Sequence, residues 1–227
     1  MKANQLFSLE GKVALVTGAS KGIGEAIARF YAANGAKVII NSRKQEELDK
    51  VAESIQADGG IDVLVNNAAS NPVFGPVVTV EEWAFDKIMN VNVKAPLELG
   101  KLVYPIMKAR GGGSVINISS VSGHTPDPGL GIYSVSKAAL NMLTKVMAKE
   151  WGADGIRVNA ICPGLIKTKF SEALWKDEKW LNRFIKQSPI PRMGSVEEIA
   201  GLALFLATPA SGYCTGTLFT ADGGLTI

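Results

Sequence analysis

Short runs of β-branched and other apolar residues alternate along the chain with longer stretches of helical apolar spacing. The runs are continuous rather than alternately apolar and polar, which is typical of strands buried on both faces of a parallel sheet. Strands are predicted over Lys12–Thr17, Lys37–Asn41, Asp62–Asn66, Ser114–Ser119, Ile156–Cys162 and Leu218–Thr220. Helices are predicted over Ile23–Ala33, Lys44–Ile55, Val80–Arg110, Tyr133–Trp151 and Ser195–Leu206, with short helical pieces within Ser171–Lys186. This alternation indicates an α/β fold in which helices cover both faces of a doubly wound parallel sheet.

Composition narrows the classes of protein to which the chain can belong. A length of 227 residues fits one domain over residues 1–227, and the 24 basic and 21 acidic residues are mixed along it, so neither a nucleic-acid nor a membrane partner is predicted. The apolar stretches Val13–Val16 and Ala200–Ala207 are too short to span a bilayer. Cys162 and Cys214 are too few for a disulfide scaffold, which favours a reducing compartment, the cytoplasm. No cluster has metal-ligand spacing, so no metal is predicted.

A glycine-rich turn follows the first predicted strand and leads directly into a helix. Glycines permit a tight turn and a close backbone approach to a pyrophosphate, whose charge favours a helix N-terminus. This strand–turn–helix context predicts a dinucleotide site in a Rossmann-type fold. The candidate cofactor contacts in the turn are Gly18, Ser20, Lys21, Gly22, Ile23 and Gly24.

The end of the second strand bears on the choice between NAD and NADP. An acidic residue at this point would bind the ribose 2′-hydroxyl and repel a 2′-phosphate. The chain has Ser42 and Arg43 there and no carboxylate. Arg43 can form a forked pair with a phosphate, and Lys21 could reach the same group. NADP(H) is therefore predicted as the cofactor, with NAD(H) as the alternative; a plain solvated helix start would explain Arg43 without any ligand.

Tyr133 and Lys137 stand four residues apart at the start of a predicted helix, so that phenol and ammonium share one face. A nearby cation is expected to lower the pKa of the tyrosine from about 10 and make it a usable acid/base. Ser120 lies thirteen residues upstream, at the end of a predicted strand. Such a tyrosine–lysine pair alone is common by chance; the serine and the glycine-rich turn make it informative.

Together these motifs resemble those of the short-chain dehydrogenases/reductases over nearly the whole chain. The resemblance implies that Tyr133 is the general acid/base and that Lys137 tunes it and holds the nicotinamide ribose. It further implies that Ser120 binds the substrate oxygen and that Asn92 positions a water for proton relay. Asn66 and Ala68, in a segment similar to the family's NNAG, would lie along the cofactor. Pro163, Gly164, Ile166 and Thr168 resemble the segment that holds the nicotinamide amide.

The family resemblance also implies a substrate lid over about residues 168–190. Its apolar residues would suit a small hydrophobic carbonyl or alcohol substrate, although packing against the body or another subunit explains them nearly as well. These residues are Phe170, Leu174, Trp175, Trp180, Leu181 and Phe184. The helical regions Val80–Arg110 and Tyr133–Trp151 resemble those through which relatives form homotetramers or homodimers. His124, the sole histidine, is expected to be a loop residue without a function.

The reaction expected from the resemblance is hydride transfer between NADP(H) and a ketone or secondary alcohol. Two alternatives within the family are an NAD-dependent alcohol dehydrogenase and a 3-oxoacyl reductase. An alternative of another class is a dinucleotide-binding regulator without turnover, which would be expected to lack the tyrosine, lysine or serine.

One part of the family pattern is missing. After the helix that ends near Gln56, residues 57–60 lead directly into the strand Asp62–Asn66, where relatives have about 30 further residues forming an edge strand and a helix. Four residues span at most about 14 Å. Either the sheet is shortened, or further residues belong between Gly60 and Ile61. The second explanation is favoured because a deletion would leave the second strand as an unprotected edge.

Overall fold

The computed structural model describes residues 3–41 and 60–227. Its strands are β1 (Val13–Thr17), β2 (Lys37–Asn41), β3 (Val63–Asn66), β4 (Gly113–Ile118), β5 (Ile156–Pro163) and β6 (Leu218–Ala221). Its helices are α1 (Ala3–Leu6), α2 (Gly22–Ala33), α3 (Glu82–Met89), α4 (Ala95–Ala109), α5 (Gly131–Trp151), α6 (Glu172–Trp175), α7 (Glu178–Gln187) and α8 (Val196–Ala207). The predicted helix Lys44–Ile55 and the residues Ser42 and Arg43 lie outside the described residues.

The strands form one parallel sheet in the order β2-β1-β3-β4-β5-β6. The order changes direction at β1, because the chain moves from β1 outward to β2 and then crosses to β3 on the other side. The predicted doubly wound, single-domain α/β fold is confirmed. In such sheets, ligands bind beyond the carboxyl ends of the strands at this point.

Two apolar cores cover the two faces of the sheet. On one face, α2 and α8 bury Ile27, Tyr31 and Leu206 against the sheet. On the other face, α4 and α5 bury Met107 and Met147. The strands between them are buried on both sides, which is why their sequences are continuously apolar rather than alternating.

The long helix predicted over Val80–Arg110 is interrupted. A π-helical turn over Asn90–Lys94 separates α3 from α4. The turn places Asn92 in the interior, with 1% of its surface exposed. Such single π-turns often mark functional positions in helices. None of the helices in the described parts of the chain has both the length and the apolar character needed to cross a bilayer.

Within residues 3–41 and 60–227, β2 is the one strand on the outer side of β1. Gly60 leads directly into Ile61, and the Asp62 N–H donates to the Val13 carbonyl at 2.9 Å as the chain enters β3. Among the described strands, β2 is the outermost on its side, and Ile40 in it is 55% exposed. The preference for further residues between Gly60 and Ile61 stays a prediction.

Candidate functional site

The glycine-rich turn connects β1 to α2 at the switch point of the sheet. Gly18 and Gly22 both have a φ of +64°, a left-handed conformation that favours glycine. Lys21 is the N-cap of α2, and its side chain forms no capping hydrogen bond, so the first N–H groups of the helix remain available to an anion. The turn therefore fits the pyrophosphate of a dinucleotide. Ser20 and Lys21 are exposed beside it.

Asn67, which the sequence analysis did not single out, holds the turn in place. Its amide donates to the carbonyls of Thr17 and Gly18 at 2.9 and 3.1 Å. Gly24 packs so closely that a Cβ would lie 2.4 Å from the Asn67 Nδ2 atom. Ala68 is equally near, because a Cβ on Gly18 would lie 2.9 Å from its Cα. The double Asn of the motif was the signal available in the sequence.

Asn66 points elsewhere. It is buried, and its Nδ2 donates to Asn117 Oδ1 at 2.8 Å, while Asn117 in turn donates to the Thr144 hydroxyl at 2.9 Å. This chain of side chains joins β3, β4 and α5 inside the molecule. The structure therefore places the predicted contact Asn66 among interior polar groups, whereas Asn67 and Ala68 lie against the turn.

Ser120, Tyr133 and Lys137 come together beyond the end of β4. The Ser120 hydroxyl lies close enough to the Tyr133 phenol to lower the pKa of the phenol. Lys137 has 2% of its surface exposed, its Nζ lies 5.5 Å from the centre of the Tyr133 ring, and it donates to the Ile118 carbonyl at 2.8 Å. The sequence prediction that these three residues share one site agrees with this arrangement.

The expectation that Lys137 lowers the pKa of Tyr133 is wrong for this structure. Burial of the hydroxyl raises the pKa of Tyr133 to about 12, and the nearby Ser120 hydroxyl opposes the rise only in part. Burial also lowers the pKa of Lys137 to about 8. Each shift favours the uncharged form, as desolvation requires.

Asn92 supports the helix that carries the tyrosine. Its Nδ2 donates to the Ser70 carbonyl and to the Ser136 hydroxyl, both at 3.0 Å, and its Oδ1 accepts from the Ser70 N–H at 2.8 Å. Ser136 in turn donates to the Tyr133 carbonyl at 2.7 Å. Both amide hydrogens of Asn92 are thus used within the protein.

The segment after β5 extends from the sheet toward the glycine-rich turn. Gly164 packs against Asp222, and the Gly164 N–H donates to the Ala221 carbonyl at 3.0 Å. Thr168 approaches the turn, because a Cβ on Gly22 would lie 3.5 Å from its Cγ2. Ile166 is buried and forms a bridge with Gly194. Pro163 ends β5.

The predicted lid contains α6 and α7, and three of its aromatic residues pack against other rings. Phe170 lies against the Tyr133 ring with centroids 6.1 Å apart. Trp180 contacts Phe74 and Phe184 at 5.8 and 6.1 Å.

His124 and Cys162 show no arrangement that indicates a catalytic role. His124 is exposed in the loop after β4. Cys162 is fully buried, and its thiol lies 3.7 Å from Asn141 Oδ1. Burial raises the pKa of the Cys162 thiol to about 11, as expected for a small interior side chain rather than a reactive one.

Comparison with known proteins agrees with this architecture. A family model described as enoyl-(acyl carrier protein) reductase matches residues 43–226, and one described as short chain dehydrogenase matches residues 12–60. Among solved structures, gluconate 5-dehydrogenase from Burkholderia cenocepacia in complex with NADP and tartrate superposes with a TM-score of 0.93, at 33% identity and 99% coverage of both chains. A 7α-hydroxysteroid dehydrogenase complexed with NADH and 7-oxo glycochenodeoxycholic acid has a TM-score of 0.87, at 30% identity, covering 99% of this chain and 98% of its own.

The relative "Dehydrogenase/reductase SDR family member 4" from Oryctolagus cuniculus is 43% identical over 244 aligned positions, which cover 95% of this chain and 94% of the relative. Because 95% of 227 residues is about 216, about 28 of those positions have no counterpart here. This agrees with the predicted absence of about 30 residues. With its fold, its motifs and these matches, the chain belongs to the short-chain dehydrogenase/reductase family of oxidoreductases.

Proposed function

We propose that the protein transfers a hydride between NADP(H) and a ketone or secondary alcohol. The observation that carries the proposal is the convergence of Ser120, Tyr133 and Lys137 beyond the carboxyl end of β4, at the same edge of the parallel sheet as the glycine-rich turn. A hydroxyl, a phenol and an ammonium at the carboxyl end of a parallel sheet supply what carbonyl reduction needs besides the hydride. They bind the oxygen and give it a proton.

The cofactor would be held along the turn and the segment after β5. The uncapped N-terminus of α2 would bind the pyrophosphate, and Lys137 the nicotinamide ribose. Thr168 would bind the nicotinamide amide. The bound dinucleotide supplies the hydride.

During reduction, Ser120 and Tyr133 would act on the carbonyl oxygen of the substrate. Ser120 donates a hydrogen bond to the carbonyl oxygen of the substrate, and Tyr133 gives that oxygen its phenolic proton as the hydride reaches the carbon. A pKa of about 12 keeps Tyr133 protonated at neutral pH and therefore ready to donate. The Asn92 amide donates to the Ser136 hydroxyl, which donates to the Tyr133 backbone carbonyl. These two bonds would keep the phenol in position.

NADP(H) is favoured over NAD(H) by charge. Lys21 is exposed at the turn, and the three residues directly after β2 include Arg43 and no carboxylate. A 2′-phosphate would gain from both cations. The competing possibilities are an NAD-dependent alcohol dehydrogenase, a 3-oxoacyl reductase and a binding protein without turnover. Rates with NADPH and NADH against ketones, oxoacyl thioesters and alcohols distinguish all of them.

The decisive variant is Tyr133→Phe, which removes the proton donor and keeps the ring. We expect a loss of about 10²–10⁴-fold in kcat with NADPH affinity unchanged, the usual worth of general acid–base catalysis. Steady-state rates and NADPH fluorescence titration measure the two quantities. A variant that keeps more than about a tenth of the activity would contradict the role of Tyr133.

A homotetramer or homodimer is proposed on the apolar surface of α4 and α5. Leu102 is 67% exposed on α4, and Met142 is 59% exposed on α5. Burying such residues against a second copy would remove them from water. Sedimentation analysis of the protein, with Met142→Lys as a variant expected to dissociate, tests this assembly. The proposed location is the cytoplasm, where Cys162 and Cys214, both free, would remain reduced.

A further inference from the structure

The start of the lid is tied to the segment after β5 by a compact set of hydrogen bonds. The Trp175 indole N–H donates to the Thr168 carbonyl at 2.9 Å. The Ser171 hydroxyl donates to the Ile166 carbonyl at 2.5 Å and lies 3.1 Å from the Thr168 hydroxyl. These bonds fix residues 166–175, which we call the anchor segment, as one unit.

The anchor segment touches both halves of the proposed reaction site. At one end, the Thr168 methyl group lies over the glycine-rich turn, where a Cβ on Gly22 would come within 3.5 Å of it. Two residues later, the Phe170 ring lies 6.1 Å from the Tyr133 ring, tilted by 45°. The orientation of this short segment therefore determines how the glycine-rich turn, which would bind the cofactor, is placed relative to Tyr133, the proposed proton donor.

Trp175 contributes both an aromatic ring and a hydrogen-bond donor to the anchor segment. Its ring also lies under the Lys167 ammonium, whose Nζ is 5.9 Å from the ring centre. Ring packing alone would be served by any aromatic side chain, but the bond to Thr168 requires a donor at one ring edge. The carbonyl that it holds belongs to a proposed nicotinamide contact.

We infer that Trp175 is a positioning residue for hydride transfer, acting through the Thr168 carbonyl. The inference rests on the proposed function, because it assumes that the nicotinamide lies against Thr168. The indole N–H keeps Thr168 and Phe170 in register, so that the nicotinamide and the Tyr133 hydroxyl approach one substrate carbonyl together. Small displacements of this kind lower the rate of the chemical step more than the affinity for substrate.

The test replaces Trp175 with Phe, which keeps a ring and removes the N–H donor. Loss of one neutral hydrogen bond predicts a decrease in kcat of about 3–10-fold, with the KM for the ketone within about twofold of wild type. The deuterium isotope effect on kcat with 4-deuterated NADPH should rise, because hydride transfer becomes more rate-limiting. Trp83→Phe is the matched control: it removes an indole bond to Glu81 on the exposed side of α3 and should leave kcat and the isotope effect unchanged.

A second variant guards against misfolding. Ser171→Ala removes the hydroxyl bonds to Ile166 and Thr168, and it should also lower kcat and raise the isotope effect. Circular dichroism verifies that each variant is folded. If wild type oxidises NADPH with a ketone while both folded variants match it in kcat and isotope effect, the role of Trp175 is overturned and the proposed function stands. If wild type neither binds NADPH nor turns over, the proposed function itself fails.

Discussion

Lys137 brings an ammonium group into a part of the molecule that water hardly reaches. In the described part of the chain it forms no ion pair, and its one hydrogen bond is to the Ile118 carbonyl. Burial accordingly lowers its pKa from 10.5 to about 8. The protein thus tolerates a destabilising group at the centre of its proposed site, a common cost of function.

Lys137→Met should therefore stabilise the protein without cofactor while abolishing turnover. The pKa shift corresponds to about 3 kcal/mol, and the lost bond to Ile118 offsets about 1 kcal/mol of it, so Tm at pH 7 should rise by about 5 °C. Between pH 8 and 10.5 the unfolded chain binds more protons than the folded one, so wild-type stability rises with pH. The advantage of the variant should consequently shrink as pH approaches 10. Lys145→Met, at an exposed position of the same helix, is the control; a Tm for Lys137→Met below wild type would contradict the argument.

A substitution of Arg43 tests the proposed preference for NADP(H) over NAD(H). Arg43→Asp removes an attraction for the 2′-phosphate and adds a repulsion, so kcat/KM should shift from NADPH toward NADH by about 100-fold or more. Lys145→Asp changes the net charge equally on exposed helix surface and should leave the ratio unchanged. An unchanged ratio in Arg43→Asp would place the 2′-phosphate site at other residues.

The proximity of three proposed site residues was predictable from the sequence, whereas their electrostatics were not. The spacing of Ser120, Tyr133 and Lys137 predicted one cluster, and the structure places them together. The direction of the Tyr133 pKa shift was predicted wrongly, because it depends on burial by elements far apart in sequence. The same reason explains Asn66: the local motif does not reveal whether a side chain faces the turn or the interior.

At the scale of elements, the sequence predicted where helices begin and end better than it predicted an interruption within a helix. The helix predicted from Ser195 has a capping box in the structure, with Ser195 and Glu198 bonding to one another's backbone N–H groups. The π-turn over Asn90–Lys94 gave no signal, because one extra residue hardly alters the apolar spacing of a long helix. Its role in burying Asn92 is a property of the folded molecule.

The glycine-rich turn allows a sharp test of element packing. Gly24→Ala would place a Cβ 2.4 Å from Asn67 Nδ2 and 2.7 Å from the Gly18 carbonyl oxygen. We expect a loss of about 1–3 kcal/mol in the free energy of unfolding, together with weaker NADPH binding, because the turn must shift. Gly201→Ala is the matched control, since it lies in α8 with open space around its Cβ and should stabilise by about 0.5–1 kcal/mol. Equal stability of both variants, measured by urea unfolding, would contradict the packing argument.

At the scale of the whole molecule, the chain passes from Gly60 directly into the strand β3, and β2 lies at one edge of the described sheet. The order β2-β1-β3 and the exposed Ile40 leave β2 outermost among the described strands. Unpaired backbone groups at such an edge can bind other strands, which favours self-association. The family resemblance assigns to the missing part both the edge strand and the acidic residue beside the adenine. The sequence indicated the missing segment through the short connection of residues 57–60, and the relative with about 28 additional aligned positions agrees.

Restoring the missing segment is the corresponding experiment. The experiment inserts, between Gly60 and Ile61, the about 28 residues of the rabbit relative that have no counterpart in this chain. The insert should pair β2 with a new edge strand and supply a partner for adenine. One added hydrogen bond to the adenine predicts a Kd for NADPH about tenfold lower, and the paired edge predicts a higher Tm. A Gly/Ser insert of the same length controls for chain length, because it cannot supply a stable strand. If both inserts gave the same Kd and Tm, the loss of the segment would not limit cofactor binding, and β2 would need no further partner in this protein.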